Sequence, residues 1–351
     1  MIRKEGIGSY FHLENIQETL TNTIDLSIDY TIFYTGRHAL LHILNEISQK
    51  KTINKLWFPN YYCQHTLGWI KKTYQNISIY EINPFVFSDE TINIYDFAGE
   101  DDVVLINNYW GLSSMPTNNN LNSAIIIEDH SHGWLSNACL NSNADYCFVS
   151  LRKSLPIPLG GIFWQPETKT SNKNLNYNID TYYYEVWDMM LKAMKLKTDY
   201  IQGDKNIDSS IYLPYFYKVE DALNKNTNFA KLLPKHKEFI NSYISFNVKK
   251  IKEEHLNFLY EKIQDTNFFK VIKKPGYTAF GLHLLFKNEN DMNSLKNFLI
   301  TNSIYPSTLW PDNTVNYKWH YFLNIHIDFR YNLNDIHHIA LTIQNWLNEK
   351  L

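Results

Sequence analysis

The sequence lacks several features that would place it in a specialised class of proteins. Its 351 residues include only three cysteines, Cys63, Cys139 and Cys147. Their spacing matches neither a disulfide framework nor a zinc ribbon, so we expect reduced thiols. No stretch approaches the roughly 18 consecutive apolar residues of a membrane span, and the first residues lack the apolar core of a signal peptide. These absences predict a soluble, cytoplasmic protein.

An excess of basic charge is also missing. The chain has 33 Lys and Arg residues against 36 Asp and Glu residues, a formal net charge of −3, and no basic cluster. This balance predicts neither a nucleic-acid partner nor an acidic membrane partner. Hydrophobic residues make up 44% of the chain, which indicates a sizeable core rather than global disorder.

Short apolar runs alternate with helical patterns in the first half of the chain. Strands are predicted at residues 30–34, 55–58, 77–82, 103–106, 125–127 and 146–149. Two of the intervening helices are predicted to begin near His38 and Asn60, and the first carries an apolar stripe at helical spacing. Strands and helices that alternate in this way predict an α/β fold with a mostly parallel sheet.

The second half of the chain has a different pattern. A polar lead-in is predicted for residues 1–30, a loop for 165–180, a long helix for 181–201 and an irregular stretch for 202–235. Beyond residue 236 the pattern is α+β, with helices predicted at 249–264, 289–301 and 333–348 and strands near 278–286 and 321–327. We therefore predict a large domain over residues 1–235 and a small α+β domain over 236–351, although no Pro/Gly/Ser linker separates them.

Chemically useful side chains follow two neighbouring strands. The run 125–127 is followed by Glu128 and Asp129, and the run 146–149 by Ser150 and Lys153. The carboxyl ends of parallel strands meet at one edge of a sheet, so an acid and a lysine there can face one pocket. One established use of such a pair is to bind pyridoxal 5'-phosphate (PLP), with the lysine as Schiff base and the acid on the pyridine nitrogen.

A phosphate site is predicted at the start of the first helix. Gly36 lets the backbone amides approach an anion, and the helix dipole favours a phosphate there. The same residues also fit an ordinary Thr–Gly helix cap, with Thr35 as the capping residue. Both interpretations remain open on the sequence.

Taken together, the motifs resemble the PLP-dependent nucleotide-sugar aminotransferase family, a branch of the fold-type I enzymes in the aspartate aminotransferase superfamily. The resemblance runs along most of the chain, at residues 35–40, 57–63, 108–111, 128–132, 150–153 with 160–161, 304–310 and 327–331. It implies a three-layer large domain that binds PLP, a smaller C-terminal α+β domain, and a homodimer. Gly36-Arg37 stands where the main branch has Gly-Thr, and only two residues separate Ser150 from Lys153, which indicates a divergent branch.

The resemblance implies three catalytic residues. Lys153 would form the Schiff base and then act as general base, with a pKa lowered by burial and by Arg152. Asp129 would keep the pyridine nitrogen protonated, and His132 would lie near the cofactor ring. A solvated surface lysine and an Asp helix cap are the alternatives for Lys153 and Asp129.

The resemblance also implies residues that hold the cofactor phosphate. Ser150 and the backbone amides of Gly36 and Arg37 would form its cradle, and Thr35 would add its hydroxyl.

Two further roles concern the cofactor ring and the substrate. An aromatic residue should cover the ring, with Tyr62 favoured over Tyr61, although aromatic core packing is an equal alternative. Tyr61 and Arg330 are predicted to contact substrate, and Arg330 could bind the donor's α-carboxylate in a bidentate fork. A surface ion pair is the alternative for Arg330.

The implied reaction is amino transfer from glutamate or a similar donor to a nucleotide-linked keto sugar, in a polysaccharide or antibiotic-sugar pathway. Another PLP reaction on the same fold and a non-catalytic binding module are the alternatives. A metal site at Glu128, Asp129, His130 and His132 is a further alternative. Adjacent residues of a strand point to opposite faces, so at most half of these four can converge.

Overall fold

The computed structural model describes residues 5–13, 23–26, 28–87, 92–113, 124–166 and 180–350. Parts of the predicted lead-in and of the predicted loop at 165–180 lie outside these residues. The strands are β1 (Tyr30–Phe33), β2 (Leu56–Pro59), β3 (Ile77–Tyr80), β4 (Val103–Asn107), β5 (Ile125–Asp129), β6 (Tyr146–Ser150), β7 (Gly161–Trp164), β8 (Phe269–Ile272), β9 (Gly281–Phe286) and β10 (Tyr321–His326). The helices are α1 (Gly36–Lys50), α2 (Gln64–Ile70), α3 (Asn137–Leu140), α4 (Tyr182–Gln202), α5 (Ser209–Ala222), α6 (Pro234–Ile244), α7 (Lys249–Lys262), α8 (Glu289–Thr301) and α9 (Leu333–Lys350).

The larger sheet has seven strands in the order β1-β7-β6-β5-β4-β2-β3. Strand β7 pairs antiparallel with both β1 and β6, and the remaining pairs are parallel. Every residue of β4 is buried, as expected for a strand that helices cover on both faces. The predicted α/β fold with a mostly parallel sheet is confirmed.

Helices α4 and α5 pack together against this sheet. The long helix predicted for 181–201 is present as α4, whereas the irregular stretch predicted for 202–235 is wrong because it contains α5. Tyr212, Phe216 and Val219 of α5 lie on one face and join the core that α4 also enters. Their spacing is helical, but Pro214 and the Asn/Lys-rich flanks obscure it.

The smaller sheet is antiparallel, in the order β10-β9-β8. Helices α7, α8 and α9 match the three helices predicted for this part of the chain, while β8 and α6 were not predicted. The domain boundary after residue 235 stays a prediction, and α6 crosses that position. Within the described residues, no helix has the length and apolar character that crossing a membrane requires.

The N-terminal segment 5–13 links both parts of the structure. Ile7 bridges to Ile304, and the amide of Gly8 donates to the Tyr331 hydroxyl at 2.7 Å. Tyr10 stacks on Phe216 of α5, with ring centroids 4.4 Å apart. The segment therefore holds the start of α9 close to α5.

We expect Gly161→Ala to destabilise the protein. Gly161 begins β7, pairs with Phe33, and lies so close to the start of α1 that an added Cβ would overlap the backbone of Thr35 and Gly36. Overpacking of this kind costs about 1–3 kcal/mol, which urea unfolding would measure. Gly68→Ala in α2 is the matched control, because its Cβ would enter open space. A G161A protein that unfolds like the parent would contradict the expectation.

Candidate active site

A cavity of about 360 Å³ lies at the edge where β5 and β6 end. Most of the predicted site residues line it, namely Thr35, Gly36, Arg37, Asp129, His132, Ser150 and Lys153. They converge because β5 and β6 are adjacent parallel strands, with Asp129 in register with Phe148, and because α1 begins beside the end of β6.

Lys153 lies at the end of a short 3-10 turn, Leu151–Lys153, that follows β6. Its Nζ is 3.2 Å from Nε2 of His132, and among the described residues it forms no ion pair with a carboxylate. Burial lowers the pKa of the Lys153 amine, against the opposing influence of Cys63 and Asp129 and with help from Arg152 and Arg37. A larger fraction of the amine is therefore neutral and nucleophilic than in a solvated lysine.

Asp129 is held by two donors. Its Oδ2 accepts from the Tyr62 hydroxyl at 2.6 Å, and its Oδ1 accepts from the Ser131 amide at 2.8 Å. Burial, together with the charge of Asp129, raises the pKa of Tyr62 well above its usual value, so the phenol stays a donor. Tyr62 is buried and is not among the residues that line the cavity. Its hydroxyl orients the acid, and a role of Tyr62 in covering the cofactor ring stays a prediction.

His132 lies in an aromatic cage that the sequence did not indicate. Trp110 stacks on its ring with centroids 5.4 Å apart, and Phe280 and Trp310 lie at 4.8 and 5.0 Å. Trp110 and Trp310 adopt positive φ values of 59° and 53°, a strained backbone that occurs often at functional sites. Burial lowers the pKa of His132 well below its usual value, and the charge of Lys153 lowers it further.

The start of α1 and the end of β6 form a close-fitting corner. An added Cβ on Gly36 would lie 3.1 Å from the Cβ and backbone nitrogen of Ser150. The first amides of a helix, here those of Gly36 and Arg37, have no intrahelical acceptor, and the dipole favours an anion beside them. The Thr35 hydroxyl accepts from the His38 amide at 3.2 Å, so it caps the helix. The corner therefore suits a phosphate, with the Thr35 hydroxyl already engaged in the cap.

One ion pair at the cavity was not predicted. Arg152 donates to both carboxylate oxygens of Glu220, at 2.6 and 3.0 Å, and Glu220 comes from α5. Burial alone would lower the pKa of Arg152, but the charge and the hydrogen bonds of Glu220, with smaller contributions from Tyr10 and Cys63, together raise it. The pair offsets positive charge beside Lys153. Sequence reasoning missed Glu220 because α5 was not predicted.

Neither of the two predicted substrate-binding residues lines the cavity. Tyr61 is buried, and its hydroxyl donates to the carbonyl of Leu309 at 3.4 Å. Arg330 is also buried, and its Nε and one terminal nitrogen donate to Asp328 at 3.0 and 2.7 Å. Its terminal nitrogens also donate to the carbonyls of Ser9 and Tyr10 at 3.0 and 3.1 Å. Since both edges of the guanidinium are engaged, the prediction that it binds the donor carboxylate is not supported.

The four residues of the metal alternative separate into two groups. Asp129 and His132 face the cavity, whereas Glu128 and His130 point the other way and meet Cys147, with ligand atoms within 4.8 Å of one another. Glu128 Oε2 lies 3.0 Å from Nε2 of His130 and accepts from Ser142 at 2.5 Å. Alternation along β5 separates Glu128 from Asp129, and the turn that follows the strand brings His132 to the side of Asp129.

Similarity to known proteins is found among solved structures. No protein-family model and no curated protein sequence matches the chain. A putative sugar aminotransferase from Streptococcus pneumoniae, solved in its PLP-form, is 9% identical with a TM-score of 0.58, covering 92% of this chain and 88% of that one. An aminotransferase described as DegT DnrJ EryC1 StrS, from Brucella abortus, is 11% identical with a TM-score of 0.57, covering 92% and 87%. At such identity the likeness shows the fold, and it confirms the fold class predicted from the sequence.

Proposed function

We propose that the protein is a PLP-dependent aminotransferase that moves an amino group from glutamate or a similar donor to a keto sugar linked to a nucleotide. One observation carries the proposal. The Lys153 amine, without a carboxylate partner among the described residues, shares one cavity with Asp129 and with the anion-binding corner at Gly36. These are the three groups that a PLP site requires.

The residues present fit this cofactor. The corner at Gly36 and Ser150 would receive the phosphate, Asp129 would meet the pyridine nitrogen, and Lys153 would bind the aldehyde carbon. A carboxylate that Tyr62 and Ser131 already hold needs little reorganisation to accept a proton donor. When bound, PLP supplies an electron sink for cleavage of the C–H bond beside the substrate nitrogen.

The chain's own residues supply the proton transfer and the positioning. Lys153 would be the base that takes the proton, and its lowered pKa leaves a larger neutral fraction of the amine for that step. His132, at 3.2 Å from the lysine nitrogen, steadies that amine, and the aromatic cage fixes the imidazole. Phe280 and Trp310 also contribute apolar surface to the cavity wall.

The structural neighbours support the choice of reaction. The S. pneumoniae neighbour was solved in both a PLP-form and a PMP-form, and it is described as a putative sugar aminotransferase. CalS13 from Micromonospora echinospora, described as a sugar aminotransferase, matches with a TM-score of 0.55 at 11% identity, covering 90% of this chain and 87% of that one. A keto sugar is on these grounds the acceptor class that we propose. The nucleotide and the homodimer rest on the sequence resemblance alone.

Covalent labelling tests the proposal. The purified protein should take up PLP with a new visible absorption band, and borohydride should then fix the cofactor on one lysine. Peptide mapping is expected to find the label on Lys153 and not on Lys252, the other lysine buried near the cavity. Addition of L-glutamate should remove the band and release 2-oxoglutarate. Uptake without that reaction would leave a cofactor-binding module, and no label on Lys153 would reject the proposal.

We expect Asp129→Asn to lower turnover about 10²-fold while PLP is still bound. The amide keeps the shape of the side chain but loses the charge that stabilises a protonated pyridine nitrogen, and one preorganised electrostatic contact is worth about 10²–10³-fold. Tyr62→Phe is the matched control, because it removes only the 2.6 Å hydrogen bond to the same carboxylate and should cost less. Single-turnover kinetics with glutamate would measure both. Equal losses in the two variants would show that the charge is not what matters.

A further inference from the structure

The end of β10 forms the cavity wall contributed by the smaller sheet. Asn324 and His326 are two residues apart on this strand, so their side chains share a face, and both line the cavity with Lys153. The His326 ring packs on Phe280, with centroids 4.6 Å apart, and meets Phe11 edge-on at 6.1 Å. These contacts fix the plane of the imidazole.

Hydrogen bonds fix its orientation as well. Nδ1 of His326 lies 3.4 Å from Oδ2 of Asp328. Asp328 is itself held by the backbone amide and the guanidinium of Arg330, at distances between 2.7 and 3.0 Å. Arg330 is anchored on the carbonyls of Ser9 and Tyr10. The imidazole is thus the last member of a chain of contacts that begins at the N-terminal segment.

The other nitrogen of this imidazole, Nε2, is buried and lacks a hydrogen-bond partner within the described residues. Burial lowers the pKa of His326 despite the opposing effect of Asp328, and the positive charges of Lys252 and Arg330 add smaller contributions in the same direction as burial. In the neutral ring, Nδ1–H donates to Asp328, so Nε2 carries the lone pair. A group bound there must be a hydrogen-bond donor, because a carboxylate would place its own lone pairs against this one.

We propose that Nε2 of His326 accepts a hydrogen bond from a hydroxyl group of the acceptor sugar, and that Asp328 is the positioning residue that sets the tautomer. This inference rests on the proposed function, because it names a contact of the same cavity with the acceptor. It also gives Arg330 an indirect role, as the residue that holds Asp328. An unpaired buried acceptor favours a hydroxylated ligand over an analogue that lacks the hydroxyl.

Titration calorimetry with thymidine diphosphate glucose and its monodeoxy analogues tests this contact on the PLP-loaded protein and on the protein without PLP. His326→Phe keeps an aromatic ring but removes the acceptor, so the glucose probe should bind about tenfold more weakly. One deoxy analogue should bind the parent and H326F equally. His326→Gln retains an acceptor and should lie between them, and it carries the test if H326F does not fold. His337→Phe, at an exposed histidine of α9, is the matched control.

The outcomes separate this inference from the proposed function. Equal affinities of the parent and H326F for every probe, or no binding of any probe to the parent, would overturn the hydroxyl contact. Borohydride labelling of the same samples reports the cofactor independently. A label on Lys153 with unchanged sugar binding rejects only the role of His326. Loss of the label with the His326 effect retained rejects only the aminotransferase.

Discussion

Replacing Lys153 by alanine is expected to lower amino transfer by about 10⁴-fold or more, the upper end of what one general base contributes. The loss is large because the same amine both attaches the cofactor and moves the proton. His132, at 3.2 Å from that amine, cannot substitute for it, because burial and the nearby positive groups keep its pKa well below the usual value and make it a weak base.

A second buried lysine provides the control for this experiment. Burial lowers the pKa of Lys252 to about 8, with Asp328 opposing the shift, so its amine shares the depressed pKa of Lys153. It does not line the cavity that holds Asp129 and Ser150. Lys252→Met should therefore keep the visible band and cost turnover less than about tenfold. Steady-state rates with glutamate would measure both variants, and a fully active K153A protein would remove the basis of the proposed mechanism.

Asp328→Asn is expected to lower the free energy of unfolding by about 3–5 kcal/mol, the usual cost of removing one partner from a buried ion pair. Both side chains of the Asp328–Arg330 pair are only 2% exposed. The substitution leaves the guanidinium buried without its counter-charge, while the asparagine preserves the shape of the side chain. Urea unfolding would measure the loss. Asp101→Asn is the control, because Asp101 is 71% exposed in a 3.9 Å pair with Lys51 and should change stability by less than about 0.5 kcal/mol.

The same pair makes a prediction about acid. Burial alone would raise the pKa of Asp328, but the charge of Arg330 and the hydrogen bonds from His326 and Arg330 hold it well below its usual range. A depressed carboxyl pKa contributes stability that is complete above the unfolded value of about 3.9 and is lost as the pH falls through the folded pKa. The D328N protein should therefore lose less stability than the parent on acidification below about pH 4. If the free energy of unfolding falls equally in the two proteins below about pH 4, the depressed pKa of Asp328 is contradicted.

The strand and helix patterns of the chain sufficed to predict the α/β fold. Local periodicity predicted most strands of the large sheet, and α4, to within a few residues of their observed bounds. It could do so because the faces of an element that are buried carry apolar residues at the spacing of that element. The convergence of Asp129 and Lys153 was also predictable. Adjacent parallel strands such as β5 and β6 have their carboxyl ends at the same edge of the sheet. Two apolar runs, each followed by a polar side chain, were therefore enough to predict that Asp129 and Lys153 line one cavity.

Other parts of the site depended on contacts between residues far apart in the chain. The position of Arg330 after an apolar strand is compatible with binding a substrate carboxylate. Only the tertiary structure shows that its guanidinium donates to Asp328 and to backbone carbonyls of the N-terminal segment. Glu220 reaches the cavity because α5 packs on α4, and the hydrogen bond from Tyr62 to Asp129 joins residues that are 67 positions apart in the chain. His326 lines the same cavity as Lys153 although more than 170 residues separate them in the sequence. Its Nε2 has no partner among the described residues because of which side chains the fold places near it. Periodicity records whether a side chain is buried, whereas hydrogen-bond partners are chosen by the tertiary structure, and those partners decide which groups remain available for chemistry.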